Sequence, residues 1–281
     1  DEILKSTGAV IGVADASLTV EEGEICVLMG LSGSGKSTLL RAVNGLNKVS
    51  RGKVMLKHRG EMIDIAKLSD ATLRAVRMES VAMVFQQFAL LPWRTVKDNV
   101  GFGLELKGMS KAERDAIVEQ KLKMVQLDHW AQKYAHELSG GMQQRVGLAR
   151  AFATDASLLL MDEPFSALDP LIRTKLQDEL LSLQKNLKKT ILFVSHDLDE
   201  AMKLGNRIAI MEGGRIVQWG TPEDIILRPA NDYVAEFVAH MNPLNVVKAH
   251  SIMRPLAEYA REGDLYYIDD ARKASIRIDQ N

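Results

Sequence analysis

Short apolar runs without polar alternation recur along the chain: Glu24 to Met29 (EICVLM), Val81 to Phe85 (VAMVF), Leu158 to Met161 (LLLM), Thr190 to Val194 (TILFV) and Arg207 to Met211 (RIAIM). A strand wetted on one face alternates, so these runs predict strands covered on both faces by helices, as in a largely parallel α/β sheet. Helical periods fill the spaces between them. Ser37 to Leu46 repeats apolar residues at Leu39, Leu40, Val43 and Leu46, and Leu171 to Lys189 carries Leu176, Leu180, Leu183 and Leu187 as a stripe for core packing. From Trp93 to about Thr154 helix formers dominate, with Ala112, Ala116, Ile117, Leu122, Val125 and Leu127 as apolar positions, which predicts a helical subdomain set into the sheet. Gly213-Gly214 between RIAIME and RIVQW predicts a hairpin. Thr221-Pro222-Glu223-Asp224 reads as an N-cap, a proline at the first helical position and early acids.

The expected organisation is thus an α/β core from residues 1–92 and 155–241 with an antiparallel β part, a helical subdomain over 93–154, and a tail over 242–281 of scattered charge and no strong period. Composition narrows the class further. At 281 residues and 46% hydrophobic content the chain supports a full core. Lys+Arg (36) and Asp+Glu (37) nearly cancel, so no nucleic-acid partner is expected from bulk charge. The single cysteine, Cys26, falls inside a predicted strand, which rules out an intrachain disulfide and suits a reducing compartment. No apolar stretch approaches the roughly eighteen residues that span a bilayer, and no signal peptide opens the chain, so a soluble cytoplasmic location is expected.

The first chemical signal is GLSGSGKST, formed by Gly30, Leu31, Ser32, Gly33, Ser34, Gly35, Lys36, Ser37 and Thr38, which fits G-x-x-x-x-G-K-[ST]. Glycines let the backbone curl until several N–H groups converge on one anion. Lys36 adds a charge at the outer phosphates of a nucleotide, and the Ser37 hydroxyl reaches Mg²⁺. A strand before the loop and a helix after it would aim the positive end of the helix at those phosphates.

Further along, an apolar strand ends in Asp162 and Glu163, at the strand edge where open α/β sheets bind ligands. Asp162 is the candidate Mg²⁺ holder and Glu163 the candidate base for attacking water, against the plainer reading of solvated acids at a strand end. His196 follows another strand and suits contact with a terminal phosphate, or is simply structural. Gln86 closes the Val81 strand, where its carbonyl suits Mg²⁺ or the attacking water, or it is a polar loop residue. Leu138, Ser139, Gly140, Gly141, Met142 and Gln143 open a helix whose bare N–H groups make a second anion site or an ordinary glycine-flanked cap.

Together these segments resemble the nucleotide-binding subunit of an ATP-binding cassette transporter, across about residues 10 to 240. LSGGMQQR resembles the family signature, LLLMDEP its Walker B strand, Phe85-Gln86 its Q-loop, Ser166-Ala167-Leu168-Asp169 its D-loop and His196 its switch histidine. The resemblance implies a P-loop NTPase (RecA-like) core, ATP and Mg²⁺, and a head-to-tail homodimer in which the signature of one copy meets ATP on the other. That arrangement would give the second anion site its purpose.

MGLSGSGKSTLLRAVNGL and VFQQFALLPWRTVKDNVGFGLEL further resemble importers of glycine betaine, choline and related quaternary amines. An ATPase of that kind would sit on the cytoplasmic face of the inner membrane. It would take a permease's coupling helix near Phe88 to Arg94 and meet an external substrate-binding protein only indirectly. An importer for another small solute, or a soluble cassette ATPase acting on nucleic acid or the ribosome, are the alternatives. Two departures stand out. The family's adenine-stacking aromatic maps to Thr7, and no Tyr, Phe or Trp precedes Phe85. Asn245 to Pro255 (NVVKAHSIMRP) resembles the opening of a CBS module, which suits either a partial module or a packed tail.

Overall fold

The computed structural model describes residue 8, residues 11–87 and 89–239, and three short strands at 260–262, 265–267 and 275–277. The side chains of Leu183 and Leu187 lie outside that description, as do Thr7, Phe88 and the segment 245–255. Contacts divide the chain into Asp1–Met241 and Asn242–Asn281.

The first unit runs β1 (Ile25–Met29), α1 (Lys36–Val43), β2 (Met55–His58), β3 (Glu61–Asp64), α2 (Asp70–Glu79) and β4 (Val81–Val84). It continues with α3 (Val96–Leu106), α4 (Lys111–Met124), α5 (Gly140–Ala153), β5 (Leu158–Asp162), α6 (Pro170–Leu187) and β6 (Thr190–Val194). Last come α7 (Leu198–Leu204), β7 (Arg207–Glu212), β8 (Arg215–Gly220), α8 (Pro222–Leu227) and α9 (Asp232–Val238). Six strands form one sheet in the order β4-β5-β6-β1-β7-β8. The first five pair in parallel and β8 turns back antiparallel on β7.

This is the doubly covered sheet that the apolar runs require. Every residue of β1 is buried, and Cys26, Leu28, Leu160, Leu192, Val194 and Ala209 pack with Leu40 of α1 in one core cluster. Each fully buried aliphatic side chain there stabilises the fold by roughly 1.5–3 kcal/mol. Burial pushes the Cys26 thiol up to about 12, so at neutral pH it is an inert core residue.

Parallel pairing has a functional consequence, because it collects the strands' carboxyl ends on one edge. The register sets Leu28 beside Val194, Val194 beside Asp162 and Met161 beside Val84. The loops that follow these residues carry Gly30, His196, Glu163 and Gln86, which therefore emerge side by side.

Several boundaries differ from the periodic reading. Helix α1 stops at Val43, because Gly45 takes a left-handed conformation (φ +69°) and leaves Leu46 outside the helix and exposed. Phe85 lies beyond β4, while β5 extends through Asp162. The pair β2–β3 and helix α2 carried no strong signal, since the two strands are four residues each and largely half-exposed. Within 93–154 the three helices α3, α4 and α5 pack on one another. The β7–β8 turn has positive φ at both Gly213 and Gly214, and Thr221 with Asp224 forms a reciprocal capping box. Among the described residues, no helix is long and apolar enough to cross a membrane.

In the second unit, β9 (Ala260–Glu262), β10 (Leu265–Tyr267) and β11 (Ser275–Arg277) form a three-stranded antiparallel sheet in the order β11-β10-β9.

Candidate functional site

The glycine loop leaves β1 through conformations that other residues resist. Gly30 (φ +140°) and Gly35 (φ +100°) also lie so close to neighbouring backbone that a Cβ would meet Met211 O at 2.1 Å and Gly12 O at 2.2 Å respectively. Glycine is therefore a steric requirement at both positions. At Gly33, by contrast, nothing lies within 4 Å of the Cβ position, so the loop interior is open. Gly35 caps α1 without any side-chain cap bond, and no acidic residue occupies the first turn. The helix thus presents free N–H groups and the positive end of its dipole to the loop, as a phosphate requires.

Lys36 is 7% exposed, and its ammonium donates to Gly30 O (2.8 Å), Leu31 O (2.9 Å) and Ser34 Oγ (3.5 Å). Burial lowers its pKa, an effect partly offset by the nearby Glu163 and Asp162 carboxylates. A cation held this way by neutral carbonyls is available to a stronger anionic partner.

Asp162 is fully buried, yet both its oxygens are engaged. Ser37 Oγ donates to Oδ1 at 2.7 Å and Arg41 Nη2 donates to Oδ2 at 3.1 Å. Ser37 and Arg41 stand four residues apart on α1, which brings both to one face of the helix. The contact of Arg41 with Asp162 escaped the sequence reading, although that four-residue spacing after the loop serine was its signal. Beside this pair, Glu163 Oε2 accepts from Gln86 Nε2 at 3.3 Å and lies 3.2 Å from His196 Nδ1. Three candidates from three separate segments, Gln86, Glu163 and His196, thus meet at the carboxyl edge of the sheet, with Lys36 in electrostatic reach of Glu163. Hydroxyl, carboxylate and amide oxygens are hard donors, so Ser37, Asp162 and Gln86 suit Mg²⁺. Among the described residues no group of three His, Cys, Asp or Glu side chains suits a metal, so such an ion would lean on a nucleotide's own phosphates.

The signature segment is built differently. Ser139 caps α5 by accepting from Met142 N at 3.4 Å, and Ser139 and Gly140 are exposed while Leu138 is buried beneath them. Gln143 turns back to Ala135 O and Leu138 O, fixing the approach to the helix. Ser166, Ala167, Leu168 and Asp169 lead into α6, whose N-cap is Asp169. No Lys36 or Ser37 contact reaches Ser139 among the described hydrogen bonds and ion pairs. This helix start faces outward.

A bent glycine loop closing on a strand-end carboxylate, at the edge of a parallel sheet, defines a P-loop NTPase fold. The ABC transporter family model matches residues 13–166, and the chain belongs to that family. It is 55% identical over 254 residues to the glycine betaine/proline betaine transport ATP-binding protein ProV of Escherichia coli, covering 90% of this chain and 62% of that one. It is 48% identical to the glycine betaine/carnitine transport ATP-binding protein GbuA of Listeria monocytogenes, over 97% of this chain and 68% of that one. Among solved structures it resembles the dimeric form of MJ0796, a bacterial ABC transporter cassette, with TM-score 0.72 and 34% identity over 76% of this chain and 91% of that one. The chain spans about three-fifths of the length of the first curated relatives it matches.

Proposed function

We propose that this chain is the ATP-hydrolysing subunit of an importer for glycine betaine or a related quaternary amine, working as a homodimer against a membrane permease. The observation that carries the catalytic half is the meeting of Gln86 and His196 on one oxygen of Glu163, beside the Ser37–Asp162 pair. The loop from Gly30 to Thr38 holds the triphosphate, with Lys36 moving from loop carbonyls to the outer phosphates. Ser37, Asp162 and Gln86 hold Mg²⁺, which when bound neutralises charge on the phosphate oxygens. Glu163 takes the proton of the attacking water, Gln86 orients that water, and His196 contacts the terminal phosphate. A base in that role contributes about 10² to 10⁴ in rate, or about 3–5 kcal/mol of barrier.

Leu138 to Gln143, with the exposed N–H groups after Ser139, meet the triphosphate held by the partner copy. Segment 93–154 acts as the helical subdomain that carries this signature, and the exposed Trp93 lies on the face a permease would engage. The relatives' names support the solute class: ProV and GbuA are named as glycine betaine transport ATP-binding proteins. Placement follows from the role, at the cytoplasmic face of the inner membrane, with a substrate-binding protein reached only through the permease.

A mixing experiment tests the composite site. Glu163→Gln keeps the signature but loses the base, and Ser139→Asp keeps the base and a good helix cap but sets a negative charge against the incoming phosphate. Each alone should lose nearly all phosphate release from MgATP. Mixed, they form heterodimers with one intact site, so turnover should rise above either alone; no rise overturns the proposal. For transport, copurification of the permease followed by betaine uptake in vesicles is the test, and ATP turnover with no betaine transport overturns that half.

A further inference from the structure

We propose that Gln144, one turn into the signature helix, is a positioning residue that locks the backbone of Glu163 to that helix and so ties base placement to signature engagement. The inference rests on the reading of Glu163 as the hydrolytic base and adds a residue which that reading did not use. Gln144 is 1% exposed, and both ends of its amide are spent on one short segment. Its Nε2 donates to the Glu163 carbonyl at 3.2 Å, and its Oε1 accepts from Ala167 N at 3.2 Å. One donor matched to a carbonyl and one acceptor matched to an N–H fix the orientation of the amide.

The segment it grips is one that needs holding. Glu163 has φ +48°, a left-handed conformation that a residue with a side chain enters only when its surroundings impose it. Its carbonyl also accepts from Ser166 Oγ at 3.0 Å and from Ser166 N at 3.3 Å, which folds residues 163–167 into a tight turn around that oxygen. Gln144 reaches this turn from the signature helix, while Glu163 N is held from the sheet side by Val194 O at 3.1 Å. The approach is close on the other side too, since a Cβ at Gly141 would sit 3.2 Å from Ala167 O. The exposed start of α5 therefore bears directly on the backbone that aims Glu163. Movement of the signature against a partner's nucleotide would be passed to the carboxylate through this amide. An apolar side chain of equal size would fill the space but leave the Glu163 carbonyl and the Ala167 N–H each short of a partner.

The test compares Gln144→Glu and Gln144→Met with the wild type in steady-state ATP hydrolysis from pH 6 to pH 8.5, alongside Glu163→Gln. When charged, the carboxylate introduced by Gln144→Glu still accepts from Ala167 N but faces the Glu163 carbonyl with no proton to give. When protonated it can donate again. The expected result is a Gln144→Glu kcat about tenfold below wild type at pH 8.5, recovering to within about twofold at pH 6, with KM for MgATP little changed. Gln144→Met should lose kcat at every pH. A merely structural role would lower activity without a pH-dependent recovery, so a Gln144→Glu profile parallel to wild type, at whatever level, overturns the inference. If Glu163→Gln is inactive while that parallel profile holds, only this inference fails. Equal turnover by Glu163→Gln and wild type overturns the proposed base and this inference together.

Discussion

The molecule carries two glycine-flanked helix starts, both proposed to meet phosphate, and they are finished to different degrees. At α1 the glycine loop, Lys36, Ser37 and Asp162 are already bonded to one another, and Lys36 and Asp162 are buried. At α5 the cap is made, but Ser139 and Gly140 remain exposed, with neither the lysine nor the carboxylate that the first site has. One site is completed within a single chain. The other is exposed and incomplete within one chain, which is the physical argument for the proposed second copy.

The largest effect should come from damaging the completed site at its tightest point. Gly35→Ala sets a Cβ against Gly12 O at 2.2 Å in a left-handed conformation, whereas Gly33→Ala meets open space at φ +81° and bears only the conformational cost. The first should lower the melting temperature by roughly 5–10 °C and abolish nucleotide binding; the second should lower it distinctly less. Equal losses would mean that close packing does not define the first site.

A smaller effect separates cap from function at the second site. Ser139→Ala removes the bond from Met142 N and should cost about 1 kcal/mol, a fall of roughly 2–4 °C in melting temperature. Ser139→Asp should melt with the wild type while losing turnover. If the two variants lose stability alike, the serine is more than a cap, and the contrast between the sites narrows.

The smallest effect probes the support behind His196. Ser195 Oγ donates to Glu200 Oε2 at 2.6 Å and Gln177 Nε2 donates to Oε1 at 3.0 Å. Burial pushes the Glu200 carboxyl above its ordinary value of 4.5, despite these bonds. A raised folded-state pKa contributes stability that is fully present below 4.5 and is lost as pH rises through the raised value. Glu200→Gln should therefore gain on the wild type in urea unfolding as pH climbs from 4 to 8. Parallel stability curves would show that the carboxyl titrates in the folded protein as it does in the unfolded chain.

Much of this was legible along the chain because it rests on local chemistry. Unalternating apolar runs identify strands with two covered faces, and glycines spaced around Lys36 identify a loop that must curl. Each motif stands on one segment, so its spacing survives in one dimension. What stayed hidden involved pairs distant in sequence. Arg41 acts on Asp162 across 121 residues, and Gln144 acts on Glu163 through a carbonyl that any residue would have. The β2–β3 pair and α2 escaped for another reason: short, half-exposed elements leave a weak periodic trace.

By itself the sequence determined which residues could bind a phosphate, where the buried strands lie and which helix starts stay free of acidic side chains, since each of these depends on residues near one another in the chain. Only the tertiary structure decided that Gln86, Glu163 and His196 converge on one oxygen and that Gln144 joins α5 to the turn bearing Glu163. Parallel strand register brings remote loops together at one edge, and no local pattern records which loops those will be.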